Sequence, residues 1–422
     1  MSRKLYQAKE EIDRWMARRT GELFTPQDKI ILYDLTNLYF EGEKRDSEKA
    51  RFGRSKERRN DAKLMALGLV TDTMGFIRYS HIYEGNIRDS KTLKKTIKDM
   101  EERYPSEGHC PVIVIDAGIA TEENLRMLRE QKRDYVCVSL AKMKDRHIAE
   151  IEEKGRRLTD RRGNEIFAQW VEVEGYEDRF LYIKSKGKAL KEQSMEEELS
   201  KRYEEGLESI KRGIERKGGI KRIEKVYERL GRLKERYPSV NRLYEVKIKE
   251  KDGIATEIKW KRVEGVKVPG AYFIRTTLKG EDEETIWKIY NTLREIEGTF
   301  RVLKSDLKMR PVFHQKDIYS EAHIYGSILA YMVVNTIRQK LKAKGIRDDW
   351  SNIVRRMNTQ KLITREMKTR TGRTIYIKKC SKPIVRVREI YHALNYKECP
   401  FFQKKSVLPK RENRKDESLD TS

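Results

Sequence analysis

Long hydrophobic runs are missing from this sequence, and one class of protein goes with them. No stretch approaches the roughly 20 apolar residues of a membrane-spanning helix, and the start, MSRKLYQAKEEIDRW, lacks the apolar core of a signal peptide. Cysteine is scarce too. Cys110, Cys137, Cys380 and Cys399 stand in no CxxC pair and at no His-associated zinc spacing. That excludes a disulfide framework and points to reduced packing thiols in a cytoplasmic protein with no membrane partner. Hydrophobic residues make up only 37% of the chain, yet 422 residues suffice for two or three domains with a real core.

What the sequence has in excess is positive charge. Its 94 Lys and Arg against 68 Asp and Glu give a formal charge of +26, which makes polyanions the expected partner. Nucleic acid fits, although ribosome-associated and membrane-surface proteins share such a balance.

The most ordered pattern lies in IWKIYNTLREIEGTFRVLKSDLKMRP, Ile286 to Pro311. Ile286, Ile289, Leu293, Ile296, Phe300, Leu303 and Leu307 recur at steps of three and four, which predicts one amphipathic helix ended by Pro311. Tyr290, Glu297 and Lys304 each follow a stripe residue at heptad spacing, so they share a flank with about 20° of drift per step. A carboxylate there can face a cleft, with a lysine nearby to grip phosphate. A solvated face gives the same pattern.

Two aspartates elsewhere change the balance. Asp34 lies in KIILYDLTNLYFEG (Lys29 to Gly42), where Ile30 to Tyr33 reads as a buried strand, and Asp116 ends the Val/Ile strand of PVIVIDAGIA. Carboxylates beside buried strands need a cation or donors, and a divalent metal supplies that. A strand-terminal Asp also serves as a helix cap, so Asp116 carries both readings.

Asp34, Asp116 and Glu297 in these settings resemble the DDE triad of bacterial insertion-sequence transposases, in the group named for its Tyr-Arg-Glu-Lys signature. GRSKERRND (Gly53 to Asp61), EGNIRDSKTL (Glu84 to Leu93), DAGIATEENL (Asp116 to Leu125) and FRVLKSDLKMRPVFH (Phe300 to His314) match that group in order. Tyr290, Glu297 and Lys304 keep the signature spacing. Leu293 stands where its Arg is expected, and the neighbouring Arg294 is about 100° away around a helix.

The resemblance implies a metal-dependent enzyme that cuts transposon ends and joins them to target DNA by a cut-and-paste route. Asp34, Asp116 and Glu297 would hold two Mg²⁺ ions, with Mn²⁺ as a substitute. Tyr290, Arg294, Arg301 and Lys304 would hold DNA. Arg54, Lys56 and Arg58, in a basic loop beside Asp34, suit contact with phosphates or with water. Partners would be double-stranded DNA, as terminal inverted repeats and target, and a second copy in a synaptic homodimer. The setting would be the bacterial cytoplasm, associated with the nucleoid. Rival readings are a ribonuclease H-like nuclease without strand transfer and a catalytically silent DNA-binding remnant. Asp34 comes early for the group, so a copy shortened at its amino end is a further expectation.

The coarse order of elements predicts an α/β protein. A short amino-terminal helical segment (1–28) precedes three strands, a helix, a strand and a helix, the order of a ribonuclease H-like core with a mixed five-stranded sheet. Its first part spans 29–140. Far more chain separates Asp116 from Glu297 than one helix and one strand require, which predicts an inserted β-rich domain with a helical hairpin at 141–268. Within it, Trp170 and Trp260 suit either core packing or stacking on a displaced base. The core resumes at 269–343 with the Glu297 helix. A basic segment follows at 344–403, then a charged tail without a fold at 404–422.

Overall fold

β-branched and leucine-rich runs bounded by turn residues set the first strands in place. The computed structural model describes residues 2–24, 29–55, 59–103, 110–139, 155–160, 162–263, 269–371, 373–399 and 404–408. The chain divides into two units. Met1–Asp28, Leu32–Arg88 and Arg294–Ser422 make the first, and Lys29–Ile31 with Asp89–Leu293 make the second.

The first unit begins with α1 (Ser2–Gln7), α2 (Lys9–Phe24), β1 (Ile30–Tyr39, entering this unit at Leu32), β2 (Leu64–Asp72) and β3 (Ile77–Glu84). LMALGLVTD of β2 is buried along its whole length, as a near-continuous apolar run should be when both faces are covered. A tight turn at Asp72 to Gly75 joins β2 to β3. Asp72 Oδ1 accepts the N–H groups of Met74 and Phe76, each at 2.9 Å, and Gly75 adopts φ of +80°. That φ is the left-handed region where glycine carries no Cβ penalty.

The second unit holds α3 (Leu93–Arg103), β4 (Val112–Ile115), α4 (Glu122–Glu130), β5 (Tyr135–Val138), β6 (Arg156–Thr159), β7 (Glu165–Val171) and β8 (Arg179–Ser185). Then come α5 (Lys186–Glu215), α6 (Ile223–Arg236), α7 (Pro238–Asn241), β9 (Tyr244–Lys251), β10 (Ile254–Arg262), β11 (Ala271–Thr276) and α8 (Glu283–Asn291). β4 and β5 are parallel and joined through α4, while β11 pairs antiparallel with both β5 and β8. The order β4-β5-β11-β8-β7-β6 makes a mixed sheet of six strands in this unit. The start of β1 lies along β4, where the Val112 N–H donates to the Lys29 carbonyl at 2.8 Å.

Two expectations change here. The sheet exceeds five strands, because β6, β7 and β8, placed by the sequence in an inserted domain, continue the β4–β5 sheet through β11. The later part of that region has a core of its own. Tyr203, Leu207, Ile210 and Ile214 of α5 meet Val226 and Leu230 of α6 and the inner faces of β9 and β10, with Trp260 packed against them. A helical hairpin is present, with Val226 in its core and Tyr227 exposed. Trp170 lies under the Arg179 guanidinium, 3.7 Å from its ring centroid.

A buried ion cluster ties this sheet to α4. Arg275 on β11 pairs with the fully buried Asp178 and with Glu122, and Arg129 Nη1 reaches Asp178 Oδ2 at 2.8 Å. Nearby, burial pushes the Cys137 thiol up to about 12, so it is an inert packing group.

The chain returns to the first unit through α9 (Leu293–Arg301), a π-helical turn (Val302–Asp306), α10 (Asp317–Ala343), α11 (Trp350–Met357), β12 (Leu362–Lys368), β13 (Thr374–Cys380), α12 (Val385–Ala393) and β14 (Lys404–Leu408). The single helix predicted over Ile286 to Pro311 is therefore three pieces. At Thr292 the N–H bonds Ile289 O and the hydroxyl donates to the same carbonyl at 2.6 Å, a local alternative to the helical ladder. At Leu307 the N–H reaches Val302 O at 2.9 Å, an i to i−5 bond that widens the turn. Lys404–Leu408, expected in a tail without a fold, pairs with β13 as β14. No helix is long and apolar enough to cross a membrane among the described residues.

Candidate active site

Asp34 lies mid-way along β1 between buried neighbours, is itself half-buried, and accepts the Leu35 N–H on Oδ1 at 2.7 Å. The far end of that strand is tied to the segment after α9. The Val312 N–H donates to Tyr39 O and the Glu41 N–H to Val312 O, both at 3.1 Å.

Glu297 is an exposed residue of α9, without a hydrogen-bonding or ion-pair partner among the described residues. The opposite side of α9 is fixed. Thr299 Oγ1 and the buried Tyr331 hydroxyl of α10 are 2.8 Å apart, and that hydroxyl donates to Gly75 O at 2.8 Å. Burial pushes the Tyr331 phenol well above its usual range, so it stays a donor.

Asp116 follows β4 directly and is exposed, its side chain likewise unpartnered among the described residues. The capping alternative fails on geometry. Thr121 caps α4 by accepting the Asn124 N–H at 3.3 Å, while Asp116 contributes only its carbonyl, to the N–H groups of Ile119 and Ala120.

Tyr290 on α8 is half-buried with its ring 6.0 Å from that of Tyr272, Glu297 is on α9, and Lys304 is half-buried in the π turn. Leu293 is buried and Arg294 exposed, so the two occupy different sides of the helix. Arg301 is exposed, 3.8 Å from Asp349.

The basic loop after β1 is less open than its composition suggests. Lys44 is fully buried, donating to Gln315 O at 3.0 Å and Ser320 Oγ at 2.8 Å, and burial lowers its pKa although Asp317 pulls the other way. Asp317 in turn accepts the Glu48 N–H at 2.9 Å and the Lys49 N–H at 3.2 Å, pinning the loop to the start of α10. Arg59 is held by Glu41 and Asp61. Arg54 remains exposed, and its carbonyl accepts Asn37 Nδ2 of β1 at 2.7 Å. Lys56 and Arg58 lie outside the described residues. Lys44 and Asn37 were not singled out by the sequence, since a lysine in a polar loop reads as solvated until its burial is seen.

Among the described residues, no three His, Cys, Asp or Glu side chains stand together as a preformed metal cage. The donor type still suits a hard divalent ion, because Mg²⁺ takes one or two carboxylates plus substrate phosphates and waters.

The chain is an α/β protein with exposed carboxylates after a parallel strand of one unit, at Asp116, and on a helix of the other, at Glu297. The chain belongs to the transposases with a DDE domain, whose family profile, described as Transposase DDE domain, matches residues 25–333. That family generally uses divalent metal ions. Among solved structures, the piggyBac transposase synaptic complex with hairpin DNA is similar at 11% identity and a TM-score of 0.38, over 78% of this chain and 52% of that one. The Mos1 transposase paired-end complex with the left transposon end is similar at 10% identity and a TM-score of 0.20, over 32% of this chain and 41% of that one. The chain thus spans about half the length of the piggyBac chain it matches, 52%. No curated protein matches the sequence.

Proposed function

We propose that this protein is an insertion-sequence transposase of the Tyr-Arg-Glu-Lys group, built on a ribonuclease H-like core and working by cut-and-paste. The observation that carries the reading is the family match over residues 25–333, a span that includes Asp34, Asp116 and Glu297. Asp116 and Glu297 present solvent-facing carboxylates that no other described side chain occupies.

The chemistry is two successive phosphoryl transfers. In the first, a water oxygen attacks the phosphorus at the transposon boundary, the P–O3′ bond breaks, and the end is left with a 3′-hydroxyl while the flank keeps the 5′-phosphate. In the second, that hydroxyl oxygen attacks a target phosphodiester, displaces the target's 3′-oxygen, and gives up its proton. Neither step needs a side-chain nucleophile. Asp34, Asp116 and Glu297 are the residues to hold divalent ions, two Mg²⁺ or Mn²⁺, which when bound activate the attacking oxygen and stabilise the leaving one. Arg54, Lys56, Arg58, Tyr290, Arg294, Arg301 and Lys304 position the backbone, and two copies of the chain pair two ends in the bacterial cytoplasm.

A second reading, a DNA-binding remnant without catalysis, draws on buried Leu293 at the signature Arg position and on the broken signature helix. The experiment that separates them is cleavage, with Mg²⁺, of a duplex carrying the element's own terminal repeat. Cutting that exposes a 3′-hydroxyl at the boundary and is lost in Asp116→Asn and Glu297→Gln supports the enzyme. Binding without cutting by the native chain supports the remnant.

A further inference from the structure

The family match ends at residue 333, and the chain beyond it carries an element that the two phosphoryl transfers leave without a role. β12 and β13 pair antiparallel from Leu362↔Cys380 to Lys368↔Thr374, and β14 lines the other side of β13. Every residue of β12 is exposed. Arg365, Lys368, Lys378 and Lys379 on the strands and Arg370 and Arg373 in the connecting loop are all exposed cations. Thr369 and Arg373 are joined across the ends of the loop, the Thr369 N–H donating to Arg373 O at 2.8 Å and the Arg373 N–H to Thr369 Oγ1 at 3.0 Å.

Among the described residues, none of these six side chains has a hydrogen bond or an ion pair. Like charges gathered on a small sheet repel one another, and among the described residues no carboxylate pairs with any of the six, Glu366 on β12 included. A polyanion would. An antiparallel ribbon has the width to enter the major groove of duplex DNA, about 12 Å across, and strands are an established way of reading a groove.

We propose that β12, β13 and the loop between them form a duplex DNA-binding arm, with Arg370 and Arg373 at its tip and Arg365, Lys368 and Lys378 along its strands on backbone phosphates. The arm rests on the transposase reading for its ligand but uses none of the residues assigned to cleavage.

The test is the salt dependence of binding by the full chain to a 30-bp DNA duplex, followed by fluorescence anisotropy between about 50 and 200 mM NaCl. Replacing both tip cations, Arg370→Gln with Arg373→Gln, should weaken binding and lower the slope of log K against log salt by about 1.8, near 0.9 for each phosphate no longer neutralised. Arg370→Lys with Arg373→Lys should restore the slope, because it keeps the charge. An unchanged slope in the Gln pair, with its melting temperature unmoved, overturns the arm while leaving DNA binding by the rest of the chain intact. No binding by the native chain overturns both the arm and the transposase reading. Tighter binding of a duplex RNA of the same sequence by the arm-dependent route also overturns the proposal.

Discussion

The hairpins β9–β10 and β12–β13 are both short, antiparallel and lysine-rich, and they use charge in opposite ways. In β9–β10 the residues alternate over Glu245–Lys249 and Glu257–Lys261, on either side of a register shift between Ala255 and Glu257. Val246, Ile248, Ile258 and Trp260 face the core shared with α5 and α6, while Glu245, Lys247, Lys249, Glu257, Lys259 and Lys261 face outward. There two Glu each bridge two Lys: Glu257 to Lys249 and Lys259, both at 2.8 Å, and Glu245 to Lys261 at 2.8 Å and Lys247 at 3.5 Å. The Asp252-Gly253 turn, with φ of +52° and +74°, is the type I′ geometry that matches strand twist. In β12–β13 the alternation fails to define a buried face, and its six cations stay unpaired among the described residues. Composition alone scores both hairpins as basic, yet four lysines of the first are answered by Glu245 and Glu257, whereas all six cations of the second are open to a partner among the described residues.

The largest test of that contrast is on internal pairing. Asp178→Ala takes from Arg275 its buried partner and leaves only the exposed Glu122, which should cost about 3–5 kcal/mol in denaturant unfolding, whereas Arg370→Gln on the open hairpin should stay within roughly 0.5 kcal/mol of the native chain. Equal losses would mean the cations of β12–β13 are structurally engaged. Next in size, Leu207→Ala beneath β9–β10 should cost about 2–5 kcal/mol. Ile363→Ala on exposed β12 should cost under about 1 kcal/mol in the same assay.

A smaller effect concerns DNA. Lys249→Gln with Lys259→Gln removes two cations already answered by Glu257, so the salt slope of duplex binding should match that of the native chain. A fall as large as the one expected for the Arg370 and Arg373 pair would erase the distinction between the hairpins.

The smallest effect is in pH. Hydrogen bonds from Lys249 and then Lys259 lower the Glu257 pKa to about 2. A carboxyl whose folded value lies below its unfolded one contributes stability that is fully present above the unfolded pKa, roughly 4.3, and is lost as pH falls toward 2. Carboxyl NMR titration should therefore place the Glu257 midpoint below that of an exposed Glu. Amide protection in β9–β10 should weaken between those pH values in the native chain and not in Glu257→Gln.

What the sequence determined by itself is the local and periodic part. The strand that carries Asp34, the strand that ends at Asp116, the Asp72 to Gly75 and Asp252-Gly253 turns, the α5–α6 hairpin and the apolar helix α10 all follow from residue spacing and turn chemistry, which act within a few residues. The family was legible too, because its motifs are short and ordered along the chain. Tertiary structure decided the rest. β11 pairs with β5 on one side and β8 on the other, so β6 to β8 join a sheet that sequence order had assigned to another domain, since strand neighbours are chosen by long-range hydrogen bonding. Thr292 and the π turn at Val302–Asp306 break a helix whose apolar period is unbroken, because backbone hydrogen bonds and packing on α10 outweigh a periodic pattern. Lys44 is buried and Asp116 leaves capping to Thr121 for a similar reason: which partner a charged side chain meets is settled by three-dimensional neighbours, not by its own identity.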